Sequence, residues 1–260
     1  MTFTKRQKFV VVTGVLTIGL LLTQMVSQEL RYPLVLLLSL TAYVLSAYAL
    51  REDLHGIEWL TLLTLPTFFT AAIALFYFLL PVRWLTRLPV ALLYGVGMYA
   101  LLLTENIYNV AADRTIALLR AAHSVGFLLT LLTYFLLMQT VLAFRFLAPI
   151  NAIVIGSMSF FLVVQSVWAM ELASTPSRRV WHISVAISCM LLELGWTFSF
   201  LPTKTTILAL LFTTCFYSSV GMAQQYLVEK LYKKTVIEFF SVAAIVFIIT
   251  LIATNWRGNM

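Results

Sequence analysis

Two groups of polar residues stand out in an otherwise apolar sequence, and the first lies between residues 105 and 124. Carboxyl and amide side chains recur there at every fourth position, which places them on one face of a helix. A basic residue and a histidine follow three positions apart, and a cation that is withdrawn from water requires an acidic partner. The residues of this candidate cytoplasmic-side polar pocket are Glu105, Asn106, Asn109, Asp113, Arg120 and His123.

This polar pocket has two interpretations. In the first, a salt bridge from Arg120 to Glu105 or Asp113 closes a helical hairpin, and the guanidinium extends toward lipid headgroups. In the second, the group binds an anionic headgroup or solute, with the two basic side chains as hydrogen-bond donors and the two asparagines orienting the ligand. The sequence leaves both interpretations open.

The second group surrounds Glu193 in the segment LLELGW. His182 and Cys189 precede it at helical spacings that place them on the same face. Ionisable residues deep in an apolar segment usually face a protein interior or a water-filled cavity. We therefore expect either a carboxyl that couples transport to protons or cations, or a glutamic acid that hydrogen-bonds a neighbouring helix. The candidate intramembrane site comprises Glu193, Cys189, Trp196 and Thr197, with Thr213 and Thr214 at a similar depth on the next segment.

The elements that must position these groups are membrane-spanning helices. Of the 260 residues, 62% are hydrophobic and 10% are charged, and the mean hydropathy is +0.97. Soluble domains carry roughly a quarter charged residues, so a soluble fold is excluded. The sequence predicts an all-α polytopic integral membrane helical bundle, a single transmembrane domain over residues 1–260 with no soluble domain.

The number of spans follows from the length of the apolar segments. A helix needs roughly 20 apolar residues to cross the hydrocarbon core of a bilayer. Six of the seven prolines lie at or between the ends of such segments, where a missing amide proton is tolerated, and Pro66 lies inside one. The predicted spans are 9–27, 32–50, 59–80, 88–106, 116–143, 149–171, 181–201, 204–226 and 235–255.

Lysine and arginine in the connections predict the orientation. Basic residues are retained on the cytoplasmic side of a membrane. With the amino terminus inside, eleven of the 17 basic residues lie on the inner side and six on the outer side. We expect a multi-pass protein of the cytoplasmic (inner) membrane, with the N-terminus inside, the C-terminus outside and the lipid bilayer as its first partner.

The segment LLLTENIYNVAADRTIALLRAAHSVGFLLTLLTYFLL, residues 101–137, resembles part of a family of uncharacterised bacterial polytopic membrane proteins. The similarity extends along most of the chain. The resemblance implies an all-helical bacterial membrane protein and carries no activity or ligand.

Motifs of known enzymes and cofactor-binding proteins are absent from the sequence. It contains no HExxH zinc motif, no GxSxG nucleophile elbow and no glycine-rich phosphate loop. Cys189 and Cys215 lie inside apolar segments, where cysteine acts as a small hydrophobic residue. We therefore expect no catalytic residue, metal or cofactor. A basic stripe with interleaved aromatic residues is also missing, so we expect no nucleic-acid partner.

Three functions remain open. The first is transport or binding of a small solute, ion or lipid within the bundle. The second is a non-catalytic scaffold or envelope-complex subunit that docks protein partners at its cytoplasmic face, where eight of the ten carboxylates are predicted to lie. The third is an enzyme acting on lipid headgroups, with anionic phospholipid bound around Arg120. Few glycines and prolines lie inside the spans, which disfavours a carrier, whereas Glu193 disfavours a plain scaffold.

Overall fold

The computed structural model describes residues 4–23, 25–26, 30–51, 54, 56–80, 84–113, 118–173 and 175–254, with the side chains of 84–86 and 112–113 excepted. Within these residues the chain forms nine α-helices and no β-strand. The helices are α1 Lys5–Thr23, α2 Arg31–Leu50, α3 Glu58–Tyr77, α4 Trp84–Asp113, α5 Leu119–Ala143, α6 Ala148–Glu171, α7 Arg178–Phe198, α8 Thr205–Leu227 and α9 Lys233–Ala253.

Each of these helices is long and apolar enough to cross a membrane. The prediction of an all-helical chain is therefore confirmed for the part of the sequence that the structure describes. The helices coincide with the predicted segments to within a few residues, except that α4 continues to Asp113 rather than ending at residue 106. Because α4 also begins earlier, Pro89 lies inside it instead of at its start.

The helices belong to two compact units. Unit 1 comprises residues 1–133 with 172–175, so it contains α1 to α4 and the first part of α5. Within it, α1 and α3 each pack against both α2 and α4. The rings of Phe69 and Tyr94 stack with their centroids 5.7 Å apart, and the Tyr94 hydroxyl is hydrogen-bonded to that of Thr70 at 2.9 Å. Aromatic packing and one buried hydrogen bond thus join α3 to α4.

Unit 2 comprises residues 134–171 with 176–260. Its central helix is α6, which packs against α7 and α8, and α8 also packs against α9. Tyr134 bonds Ser159 at 2.9 Å, and its ring stacks on Phe216 with 4.3 Å between centroids. The side-chain amide of Gln224 donates to the Ser166 carbonyl at 3.0 Å. Helix α9 is peripheral, because Thr250 is the one buried residue along its described length.

Candidate functional site

The buried face of α4 positions the acidic end of the first candidate group. Buried residues recur along α4 at intervals of three or four, as expected for one face of a helix that packs against its neighbours. This face points into unit 1, where α4 contacts α1, α2 and α3. The residues concerned are Ala91, Tyr94, Met98, Leu101, Leu102, Glu105, Tyr108 and Asn109.

Glu105 is the acidic residue of this face, and its side chain is completely buried, at 0% exposure. Neither of its carboxyl oxygens has a hydrogen-bond partner among the described residues. A buried polar group without a partner costs about 1–3 kcal/mol of stability, and more if it is charged. Native structures hydrogen-bond the large majority of their buried polar groups, so this position requires a specific explanation.

Two further buried oxygens without a partner among the described residues belong to Asn109, one turn after Glu105 on α4, and to Ser46 on α2. Asn109 is 1% exposed, and its Nδ2 donates to the carbonyl of Leu50, the last residue of α2, at 3.4 Å. Its Oδ1 has no partner among the described residues, and the same is true of the fully buried Ser46 Oγ. We call these atoms, Ser46 Oγ, the two Glu105 carboxyl oxygens and Asn109 Oδ1, the oxygen cluster.

The register of α2 and α4 places Ser46 and Glu105 at a similar level, one turn before the bond between Asn109 and Leu50. Ser46 lies one turn before Leu50, and Glu105 lies one turn before Asn109. Since α3 reverses the chain between them, α2 and α4 run in the same direction, and the bond from Asn109 to Leu50 fixes their register. Carboxylate, amide and hydroxyl oxygens are the ligands that hard cations prefer.

The basic end of the first group does not join the oxygen cluster. Arg120 is exposed, and Glu105 has no hydrogen-bond partner in the described structure, so the predicted salt bridge between them is not formed. Within the described residues, Tyr108 connects α4 to α5. Its hydroxyl donates to the Ala122 carbonyl at 2.9 Å, and its ring lies 5.5 Å from that of His123.

The structure therefore brings together part of the predicted polar pocket. Glu105 and Asn109 share the buried face of α4, whereas Asn106 is half-buried beside them. The side chain of Asp113 lies outside the described residues. Sequence reasoning missed Ser46 and Tyr108. The signal for Tyr108 is its position between Glu105 and Asn109 on the same face, opposite the small residues of α5.

The structure places the second candidate group on the outward face of α7. Glu193, Cys189, Trp196 and Thr197 are all exposed, and so is His182. The expectation that Glu193 faces the interior of the protein is not met within this chain. The physical reason is that the opposite face of α7 carries the small and apolar residues that fit α6 closely, namely Val180, Ser184, Ser188, Leu191, Gly195 and Phe198.

The two threonines assigned to the Glu193 site are satisfied by their own helix. The hydroxyl of Thr213 donates to the Ala209 carbonyl at 2.7 Å, and that of Thr214 donates to the Leu210 carbonyl at 2.8 Å. Within the described part of the chain, no group of three or more histidine, cysteine or acidic side chains is arranged to hold a metal ion.

The nine helices of the described residues are each long and apolar enough to cross a membrane, which is compatible with a multi-pass membrane protein. The comparisons with known proteins define the family. The chain belongs to the family described as "Protein of unknown function (DUF5656)", which matches residues 34–253. The expected membership of an uncharacterised family is confirmed, and the match includes the whole oxygen cluster. No curated protein and no solved structure is significantly similar to the chain.

Proposed function

We propose that the protein is a multi-pass protein of the bacterial inner membrane that binds a monovalent cation, either a proton or Na⁺, in unit 1 in order to transport it. The apolar length of its helices supports insertion in a bilayer. Helix α9 supports it further, because Phe240, Ile245 and Ile252 expose 71%, 57% and 79% of their surface. The distribution of basic residues favours an inner N-terminus and an outer C-terminus.

The observation that carries the proposal is the complete burial of Glu105 without a hydrogen-bond donor among the described residues. Buried acids that serve only the fold are paired or hydrogen-bonded, because an unpaired carboxyl destabilises the folded state. Ionisable residues inside membrane helices commonly mark proton relays and ion pathways. No described residue donates a hydrogen bond to this carboxyl, and a bound cation would neutralise it instead.

The charge of the oxygen cluster favours a monovalent ion. Glu105 supplies one negative charge, while Ser46 and Asn109 are neutral. A single positive charge neutralises this set, whereas a divalent ion would leave a net charge in a medium that solvates it poorly. Glu58, another buried acid of unit 1, already interacts with other groups.

The same acid disfavours the anion pocket that the sequence also allows. An anionic headgroup at this level would face the carboxyl of Glu105 without the intervening charge of Arg120, whose side chain is exposed. Like charges in a poorly solvated site repel strongly. The buried part of the first candidate group is therefore suited to a cation.

Reconstituted liposomes test the proposed transport. Full-length protein in vesicles that contain pyranine should move protons down an imposed pH gradient, or should take up ²²Na⁺ in a parallel assay. Glu105→Gln keeps the shape of the side chain and removes the anionic oxygen. We expect this variant to reduce the rate of the active assay at least about tenfold, which corresponds to the loss of about 1.4 kcal/mol.

Glu193→Gln is the matched control, because it makes the same substitution at an exposed position in an apolar helix. We expect Glu193→Gln to leave the rate of transport unchanged. Equal rates for wild type and Glu105→Gln, or no movement of either ion by well-folded wild-type protein, would contradict the proposal.

A further inference from the structure

Unit 2 contains a cavity of about 500 Å³ at the end of the unit that holds the connections α5–α6 and α7–α8. Its wall is formed by the end of α5, the first turn of α6, the end of α7 and the start of α8. In the proposed topology this end faces outward. The cavity is separate from the oxygen cluster, whose residues all belong to unit 1.

The charges of the cavity wall are all positive. Arg145 and Lys204 line it, and none of its other lining residues is acidic. Lys204 is also the N-cap residue of α8 and makes no side-chain capping bond. The first amide groups of a helix have no partner within the helix and carry a partial positive charge. The wall therefore attracts an anion, and oxyanions such as phosphate are common ligands of helix amino ends.

Asn151 provides an independent sign of a ligand in the same wall. It is 4% exposed, and its Nδ2 donates to the Phe146 carbonyl at 3.1 Å and to Ser199 Oγ at 3.3 Å. These bonds fix the orientation of the amide, and its Oδ1 has no partner among the described residues. Asn151 lines the cavity, and its unpaired amide oxygen is an acceptor, so a ligand that reaches it carries a donor as well as a negative charge.

Part of the remaining wall is apolar, and Ser199, Thr203 and Thr205 are its other polar residues. Leu142, Phe198 and Leu208 are buried in it, and Phe146 and Phe200 are exposed at its edge. Phe200 exposes 69% of its surface beside the two cations. An apolar wall next to a cationic one suits an amphiphile, because hydrocarbon and phosphate then each meet a matching surface.

We infer that this cavity binds a phosphate-bearing ligand. The phosphate lies between Arg145, Lys204 and the amino end of α8, and a hydroxyl of the same ligand donates to Asn151 Oδ1. Both a phospholipid with a glycerol headgroup and free hydrogen phosphate carry this chemistry. The apolar wall favours the phospholipid.

Two charge-removing variants test the site. Arg145 has a φ of 49°, a left-handed conformation that asparagine adopts more readily than most residues, so Arg145→Asn removes the charge without adding strain. Lys204→Gln removes the second cation at an exposed position. Lys234→Gln is the matched control, since Lys234 is exposed at the start of α9 and does not line the cavity.

The measurement is a titration of the detergent-solubilised full-length chain with dioleoylphosphatidylglycerol, followed by native mass spectrometry. We expect each of Arg145→Asn and Lys204→Gln to raise the Kd about tenfold, the effect of losing one charge-assisted hydrogen bond. Lys234→Gln should keep the wild-type Kd. Thermal unfolding of the variants checks that any loss of binding does not reflect misfolding.

Competition distinguishes the two sources of phosphate. Displacement of the lipid by millimolar inorganic phosphate supports the site with free phosphate as its ligand. Binding that depends on Arg145 and Lys204 but resists inorganic phosphate supports the site with the phospholipid as its ligand. Equal affinity for phosphatidylcholine, wild-type affinity in both cavity variants, or no binding of either phosphate source overturns the inference.

Discussion

The buried threonines of this chain and the buried Glu105 differ in how their polar atoms can be hydrogen-bonded. Thr104, Thr130 and Thr133 are buried, and their hydroxyls donate to carbonyls of their own helices at 2.7 to 2.9 Å. A hydroxyl can do this because it carries a donor on a short side chain. An ionised carboxyl offers acceptors alone, and the carbonyls of its helix are acceptors too. Glu105 must therefore obtain a proton, a cation or a donor from elsewhere.

The burial of Glu105 predicts a conflict between stability and function. Glu105→Met replaces the carboxyl with an apolar side chain of similar length, so we expect it to stabilise the folded protein by about 1–3 kcal/mol, the cost of an unsatisfied buried polar group. The measurement is the midpoint of thermal unfolding in detergent. The same variant should not transport ions. A lower midpoint for Glu105→Met than for wild type would indicate that the carboxyl makes stabilising contacts.

At the level of helices, the contact between α4 and α5 through Tyr108 depends on Gly126. A Cβ atom added there would lie 2.5 Å from the hydroxyl of Tyr108, which is buried and bonded to the Ala122 carbonyl. We expect Gly126→Ala to displace the tyrosine and to destabilise the fold by about 1–3 kcal/mol, as other overpacked cores do. A lower midpoint of thermal unfolding would show this effect.

Gly14 provides the control for the α4–α5 contact. It also lies inside a helix, but an added Cβ there meets no atom within 4 Å. Gly14→Ala should leave the unfolding midpoint unchanged or raise it slightly, because alanine favours the helix over glycine by roughly 1 kcal/mol. Equal unfolding midpoints for Gly126→Ala and Gly14→Ala would mean that Tyr108 can move aside without a loss of stability.

The positions of the helices could be predicted from the sequence, whereas their rotations could not. Apolar length alone defines a span, and the observed bounds therefore lie near the predicted ones. The rotation of a helix about its own axis can be predicted only where one face is polar and the other apolar, and most of these helices are apolar all round. The prediction for Glu193 fails for a different reason. Helix α7 does have two contrasting faces, but Gly195 on one of them packs against Ile155 and Ala152 of α6, and this overrides the rule that an ionisable residue faces inward.

The candidate site was predictable only where it depends on spacing within one helix. The four-residue spacing of Glu105 and Asn109 requires a shared face on any helix, so their grouping survives in the structure. The partner of Glu105 is a tertiary feature. The sequence suggested Arg120 because a cation one to two turns inside the next helix requires an acidic partner. Ser46 carries no signal in the sequence, since a serine in an apolar helix normally bonds its own backbone.

Across the whole molecule, the two proposed sites belong to different units. The oxygen cluster lies in unit 1, and the phosphate cavity lies in unit 2. Loss of the cavity cations should therefore leave the residues around Glu105 intact, because the two sites share no residue. Transport and lipid binding can accordingly be measured as separate properties of the same chain.

The proposed topology predicts which side of the membrane each end of unit 2 occupies. In a background with Cys189→Ala and Cys215→Ala, we expect Lys204→Cys to react with a membrane-impermeant maleimide in intact cells. Lys230→Cys should react only after the membrane is permeabilised. Both lysines are exposed, and α8 separates them, so a single span of about 20 residues accounts for the difference. The reverse pattern would turn the phosphate cavity toward the cytoplasm, and labelling of both positions from outside would exclude α8 as a membrane span.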